Sequence, residues 1–157
     1  MINKTMPIRK AALKDVKLIA RINTLSEDPT DKAMGIKEPW VVKHFTEGIK
    51  SNDFRVFIYG DAGVMTLKPD FPGYKNYEIY WLTVAKQHKG KGIGTKLMRF
   101  AEQYAKKMKQ RGLYLYAYIK NKKAIKFYNK LGYKKINTFK NYYSNGDTAV
   151  LLGKVLK

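Results

Sequence analysis

The chain has 157 residues, 45% of them hydrophobic, which is enough for a single domain, residues 1–157, with a core of its own. It has no cysteine and only two histidines, so disulfides, thiolate metal sites and a cysteine nucleophile are excluded and no metal is expected. The net charge is +20, and no run of 18 apolar residues suggests a membrane span or a membrane partner.

Hydrophobic spacing and turn residues predict the elements of the first half of the chain. These are a strand over residues 7–12, a helix over 13–26, a loop over 26–39, a helix over 40–50, and a hairpin of strands 54–59 and 64–68. The loop is predicted because that segment contains two prolines and a glycine.

The second half of the chain predicts a second set of strands and two more helices. These are a strand over residues 77–84, a glycine- and lysine-rich turn, a helix over 93–108, a strand over 113–119, a short helix within 121–133, and a closing hairpin of strands 135–143 and 148–156.

The turn between strand 77–84 and helix 93–108 has the composition of a phosphate site. Its glycines allow backbone N–H groups to approach a ligand closely, and the helix N-terminus adds unpaired donors and the positive end of a dipole. The spacing excludes a P-loop, since no glycine is followed five residues later by Gly-Lys-Ser/Thr. It also misses the dinucleotide pattern G-x-G-x-x-G by one residue.

This turn resembles the acyl-CoA loop of the GNAT superfamily of N-acyltransferases, whose pattern is Q/R-x-x-G-x-G/A. Gln87, Gly90 and Gly92 match the pattern literally. Lys89, Gly92 and Gly94 match it with lysine in the Gln/Arg place. We favour the second register because it puts Gly94 just ahead of the helix and keeps the family's spacing from the preceding strand.

A second segment resembles the downstream motif of the same family, Asn-x-x-Ala-x-x-x-Tyr-x-x-x-Gly-Phe. Asn121, Tyr128 and Gly132 stand in their places, and Tyr133 replaces the phenylalanine. The two motifs together imply the GNAT fold, an α/β (α+β) three-layer structure. Its central sheet would be mixed, mostly antiparallel, with about seven strands flanked by four helices.

The resemblance implies an N-acetyltransferase that uses acetyl-CoA and releases coenzyme A. The backbone at the end of strand 77–84 would pair with the pantetheine arm like an added strand, and the loop N–H groups would hold the pyrophosphate. The residues implied to bind CoA are Leu82, Thr83, Val84, Lys89, Gly90, Lys91, Gly92, Ile93, Gly94, Thr95, Asn121, Phe127 and Tyr128.

Acyl transfer to an amine needs a base for the amine, a donor for the oxyanion and an acid for the thiolate. Tyr128 matches the family tyrosine that acts as the acid, and the N–H of Val84 is the usual oxyanion donor. Protein N-terminal acetyltransferases of the superfamily carry a base glutamate where this chain has Tyr116. We therefore assign the base role to Glu78, with Tyr80 and Tyr116 as an alternative water relay.

The acceptor is predicted to be a primary amine, either a peptide or protein N-terminus or a polyamine-like small molecule. The loop over residues 26–39 would cover it and is rich in acids, and the segment 141–149 resembles the tyrosine-rich final hairpin of the protein N-terminal acetyltransferases. The residues predicted to bind the acceptor are Glu27, Asp28, Asp31, Tyr142 and Tyr143.

Positive charge is concentrated where the CoA phosphates are expected. Residues 86–140 contain 17 Lys/Arg and one acid, whereas residues 1–85 contain 13 and 10. Such a field steers a polyanion toward its site. It is also typical of nucleic-acid surfaces, so a basic GNAT-fold protein that binds RNA or the ribosome, with CoA regulatory or absent, is the alternative function. We favour CoA because 27 of the 32 basic residues are lysine.

Two further expectations concern location and oligomeric state. The N-terminus is polar and unlike a signal peptide, which predicts a cytoplasmic protein. The sequence leaves open whether two copies of the chain form a homodimer.

Overall fold

A computed structural model describes residues 6–157 and contains seven strands and five α-helices in that range. The strands are β1 Ile8–Lys10, β2 Arg55–Tyr59, β3 Gly63–Pro69, β4 Asn76–Val84, β5 Gly112–Tyr118, β6 Lys134–Phe139 and β7 Ala149–Val155. The helices are α1 Val16–Ser26, α2 Pro29–Met34, α3 Glu38–Lys50, α4 Ile93–Lys107 and α5 Lys122–Lys130.

The strands form one mixed sheet in the order β1-β2-β3-β4-β5-β7-β6. Every neighbouring pair is antiparallel except β4 and β5, which are parallel. One hydrophobic cluster packs α1 and α3 on one face of the sheet through residues such as Ile19 and Phe45. A second packs α4 on the other face through Leu97 and Met98. The predicted three-layer α/β fold is confirmed.

Two element predictions were wrong. Residues 26–39 contain the short helix α2, so five helices flank the sheet rather than four. Asp28 caps this helix by accepting a hydrogen bond from the Thr30 N–H at 2.8 Å, and Pro29 occupies its first position. Strand β6 ends at Phe139 instead of residue 143, because Asn141 adopts a left-handed backbone (φ 54°) that turns the chain away.

The centre of the sheet opens into a wedge between β4 and β5. The two strands pair only from Asn76 to Glu78 on β4, although both continue further. Along the same stretch the register between β3 and β4 shifts, so Tyr80 is an extra residue without a partner on β3. Tyr80 and Trp81 consequently pack on the same face of the sheet. A bulge of this kind bends its strand, and here β4 separates from β5 beyond it.

A buried carboxylate holds the end of α5 against the rest of the fold. Glu102 of α4 is 8% exposed and accepts hydrogen bonds from the Tyr133 hydroxyl (3.2 Å) and from Lys154 Nζ (2.9 Å). Lys154 also donates to the carbonyl oxygen of Leu131 at 2.8 Å. Leu131 and Tyr133 directly follow α5, so this cluster positions the helix that carries Tyr128.

Replacing Glu102 by alanine should lower the free energy of unfolding in urea by about 3 kcal/mol, because Lys154 and Tyr133 lose their buried acceptor. Glu47→Ala, at an exposed position of α3, is the control and should change it by less than about 0.5 kcal/mol. Equal effects of the two substitutions would contradict the role assigned to Glu102.

Candidate active site

A cleft of about 300 Å³ lies where β4 and β5 separate. It brings together side chains from β4, β5, α2, the start of α3, α5 and the loop between β6 and β7. Those named in the sequence analysis are Asp28, Asp31, Glu78, Tyr80, Leu82, Thr83, Tyr116, Asn121, Tyr128, Tyr142 and Tyr143. The predicted acid, the predicted base and most of the predicted acceptor groups therefore line one cavity.

The edge of β4 that faces this cleft carries unpaired backbone groups. The Ala85 N–H donates to the Ala62 carbonyl, on the β3 side, at 2.8 Å. Successive residues of a strand present their backbone groups to opposite edges, so the N–H groups of Leu82 and Val84 point toward β5. No β5 residue pairs with β4 beyond Glu78 among residues 6–157. This edge has the geometry needed for an extended ligand to pair as a strand.

The glycine-rich loop presents uncapped donors at the start of α4. Gly90 and Gly92 adopt left-handed backbone conformations (φ 78° and 77°), and a Cβ atom on either would meet no atom of residues 6–157 within 4 Å. Gly92 is the N-cap of α4 and supplies no side-chain cap, so Gly94 is the second residue of the helix and not just ahead of it as predicted. The first helical N–H to bond is that of Lys96. The N–H groups of Ile93, Gly94 and Thr95 precede it. Open space in front of such donors suits a phosphate group.

The loop lysines differ in what they contact. Lys89 donates to the Ser26 carbonyl oxygen at 2.6 Å, and Lys86 forms an exposed ion pair with Glu27 at 2.8 Å. Both contacts tie the loop to the end of α1. Lys91 is exposed beside the glycines, where its charge adds to that of the helix N-terminus.

Tyr128, the predicted acid, lies half-buried in the cleft beside Phe127, with ring centroids 5.1 Å apart. Burial raises the pKa of its hydroxyl, so the side chain keeps its proton at neutral pH. Phe127 packs near Gly94, where an added Cβ would lie 3.2 Å from the ring. Asn121 caps α5 by accepting from the Ala124 N–H at 3.3 Å. Helix α5 thus presents Asn121 and Tyr128 to the cleft and Phe127 to the loop.

Glu78, the predicted base, sits among tyrosines on β4 and its neighbours. Burial raises its pKa, Lys68 opposes the rise, and Asp70 adds to it. Tyr116, which stands where related enzymes carry a glutamate, stacks on Tyr142 with ring centroids 4.9 Å apart. A carboxylate with a raised pKa is a better proton acceptor than an ordinary one at neutral pH.

The acceptor side of the cleft carries two acids from α2 and its cap. Burial, together with the charge of Asp28, raises the pKa of Asp31 to about 6, while Asn23 opposes the rise. An ammonium group bound beside Asp31 would favour the carboxylate form, so Asp31 is suited to hold one. Glu27, which we also predicted to bind the acceptor, is paired with Lys86 and does not line the cleft.

The opposite wall of the acceptor side is the loop between β6 and β7. The Tyr118 hydroxyl donates to Asp147, and Lys120 Nζ lies 3.1 Å from the same carboxylate. These contacts anchor the loop to the end of β5 and hold Tyr142 and Tyr143 over the cleft.

Several site residues were absent from the sequence analysis. Met34, Ile36 and Trp40 line the cleft and also an outer groove of about 620 Å³ that continues from it. They lie in and after the unpredicted helix α2, and reading Asp28-Pro29 as a helix cap would have been the signal. His44, one turn beyond Trp40, contacts the Tyr80 hydroxyl at 2.8 Å.

Comparisons with known proteins agree with this geometry. Residues 21–133 match the acetyltransferase (GNAT) family. The chain belongs to the GNAT acetyltransferase family. It is 27% identical to an N-alpha-acetyltransferase of Sulfurisphaera tokodaii, over 98% of this chain and 95% of that protein.

Solved structures with low sequence identity share the fold. The ribosomal-protein-S18-alanine N-acetyltransferase of Escherichia coli has a TM-score of 0.77 at 18% identity, covering 96% of this chain and 94% of its own. Mutant forms of the spermidine/spermine N-acetyltransferase of Vibrio cholerae have a TM-score of 0.76 at 16% identity, covering 98% and 95%.

Family membership identifies the protein as an acyltransferase, and enzymes of this family use acetyl-CoA as the acyl donor. The open edge of β4 and the uncapped start of α4 fit the amide-bearing arm and the phosphates of that donor. None of the helices within residues 6–157 is both long enough and apolar enough to cross a membrane.

Acetyl-CoA should raise the melting temperature, because a ligand that binds the native state stabilises it. Gly92→Leu should abolish that rise, because the new side chain enters the open space before the α4 donors. Gly73→Leu is a matched control, since Gly73 also has a positive φ (96°) and open space around it but lies in the turn between β3 and β4. The control should keep the full acetyl-CoA shift. An unchanged shift in Gly92→Leu would refute the placement of the phosphates.

Proposed function

We propose that the protein transfers the acetyl group of acetyl-CoA to the α-amino group of a peptide or protein N-terminus. The amine attacks the thioester directly while both substrates are bound. The observation that carries this choice over a polyamine acceptor is the outer groove beyond the cleft.

The outer groove has a mostly apolar and aromatic lining, and none of its lining residues in the described range 6–157 is an acid. Its walls include Ile36, Pro39, Trp40 and Tyr142, and Lys37 is the one charged residue among those of residues 6–157 that line it. The further ammonium groups of a linear polyamine would meet apolar walls and a positive charge there. A peptide has one terminal ammonium, for Asp28 and Asp31 in the inner cleft, and its apolar side chains suit the groove.

The chemistry of the base supports the same acceptor. An α-ammonium group has a pKa of about 8, whereas an alkylammonium has one of about 10.4, so the α-ammonium group gives up its proton far more readily. Glu78 and Asp31 are the carboxylates of the cleft with raised pKa values. These carboxylates can accept a proton more readily from an α-ammonium group than from the less acidic alkylammonium group of a polyamine.

The roles of the remaining groups follow from their places. The unpaired N–H of Val84 is available to the oxyanion that forms when the amine attacks. Tyr128 donates its proton to the thiolate of the departing coenzyme A. The name of the Sulfurisphaera tokodaii relative, an N-alpha-acetyltransferase, is consistent with this acceptor.

The test is a panel of acceptors with acetyl-CoA, read by release of free coenzyme A. Peptides that begin with methionine or leucine should be acetylated faster than peptides with an acidic first residue, and faster than spermidine.

Tyr128→Phe should lower kcat by about 10²-fold on the best peptide, with little change in acetyl-CoA affinity.

Two results would contradict the proposal. A preference for spermidine over every peptide would move the acceptor to the polyamine class. Failure of all amines, together with RNA that binds tightly and displaces acetyl-CoA, would favour the alternative function as a basic binding protein.

A further inference from the structure

His44 links the active-site cleft to a second pocket on the outside of the molecule. Its Nε2 lies 2.8 Å from the hydroxyl of Tyr80, which lines the cleft, and its ring stacks on Trp40 with centroids 4.4 Å apart. His44 itself lines a pocket of about 650 Å³ formed by α3, the turn after it and the end of β3, which we call the outer pocket and which is distinct from the outer groove described above. Within residues 6–157 the two pockets share no lining residue, so substrates in the cleft leave the outer pocket open to water.

The surroundings of this pair keep the imidazole neutral and the phenol protonated. Burial and the charge of Lys68 lower the pKa of His44, and Glu47 on its own helix opposes them. Burial and the nearby Glu78 raise the pKa of Tyr80. The other charged groups of the outer pocket are Asp53, from the turn after α3, and Asp70, from the end of β3. In the tautomer that carries its proton on Nδ1, the neutral imidazole accepts through Nε2, and Tyr80 is then the donor of this hydrogen bond.

The reaction requires one proton to leave the cleft in every turnover. An ammonium acceptor loses two protons when it becomes an amide. One of them replaces the proton that Tyr128 gives to the thiolate, and the other goes to solvent. Acetyl-CoA and the acceptor occupy the mouth of the cleft while this proton is released. A path through the protein would therefore let the proton reach solvent without passing the substrates.

We propose that Tyr80 and His44 form the path by which this second proton leaves, an inference that rests on the proposed acetylation of an amine. The proton passes from the amine to the Tyr80 oxygen, directly or through one water or Glu78, while the proton of Tyr80 passes to His44 Nε2. The imidazolium then releases a proton to water in the outer pocket, and the ring returns to the tautomer with Nδ1 protonated before the next turnover. His44 acts through Tyr80 and is a positioning residue for proton transfer.

The path has a signature in the pH dependence of kcat/KM for a peptide acceptor. The variants Tyr80→Phe and His44→Gln can use only acceptor molecules whose amine is already neutral. At pH 7 this is about one molecule in ten for an α-amine with a pKa of about 8. Both variants should therefore keep about a tenth of the wild-type value at pH 7 and nearly all of it at pH 9. Glutamine preserves a hydrogen-bond acceptor for Tyr80 but cannot carry the proton. Lys43→Gln, at the neighbouring exposed position of α3, should match the wild type at both pH values.

A second readout needs no turnover. In an NMR titration of the His44 ring, Tyr80→Phe should raise the pKa of His44, because the donor that favours the neutral imidazole is gone. An unmoved pKa would refute the hydrogen-bonded pair. An equal loss of kcat/KM at pH 7 and pH 9 would show a structural role and refute the proton path alone. A wild-type protein that acetylates no amine would refute the proposed function and the path with it, even with the pair intact.

Discussion

The extra residue in β4 decides the shape of the active site. Tyr80 has no partner on β3, and the strand leaves β5 at this point, so that the edge carrying Leu82 and Val84 stays unpaired. A fully paired sheet would have hidden these backbone groups and left no cleft. The same irregularity brings the Tyr80 hydroxyl to His44, which opens a second connection between the cleft and the surface. Binding and proton transfer thus share one structural origin.

The walls of the cleft are held by polar contacts from outside it. Lys89 ties the glycine loop to the end of α1, Asp147 ties the β6–β7 loop to the end of β5, and Glu102 holds the end of α5. Each contact joins a catalytic segment to an element of the core. Positive charge is concentrated in residues 86–140, and any attraction that it exerts on the phosphates of acetyl-CoA would be screened by salt beyond roughly 8 Å at physiological ionic strength.

Strand and helix periodicity predicted the sheet and the helices α1, α3, α4 and α5, because their apolar positions recur at regular spacing. Helix α2 was missed because its proline suggested a turn when it in fact begins a helix, and with it the groove residues Ile36 and Trp40 were missed. The contact between His44 and Tyr80 joins residues 36 positions apart, and periodicity carries no information on such pairs. The family motifs, in contrast, predicted that Tyr128 and the glycine loop belong to one site, and Tyr128 does line the cleft.

The central claim is that acetyl-CoA pairs with the open edge of β4. Amide hydrogen exchange followed residue by residue, with and without acetyl-CoA, tests it directly. The N–H groups of Leu82 and Val84 should exchange quickly in the free protein and become protected on binding. The N–H of Thr83, which faces β3, should change far less. Unchanged exchange at Leu82 and Val84, or equal protection at all three residues, would contradict the claim.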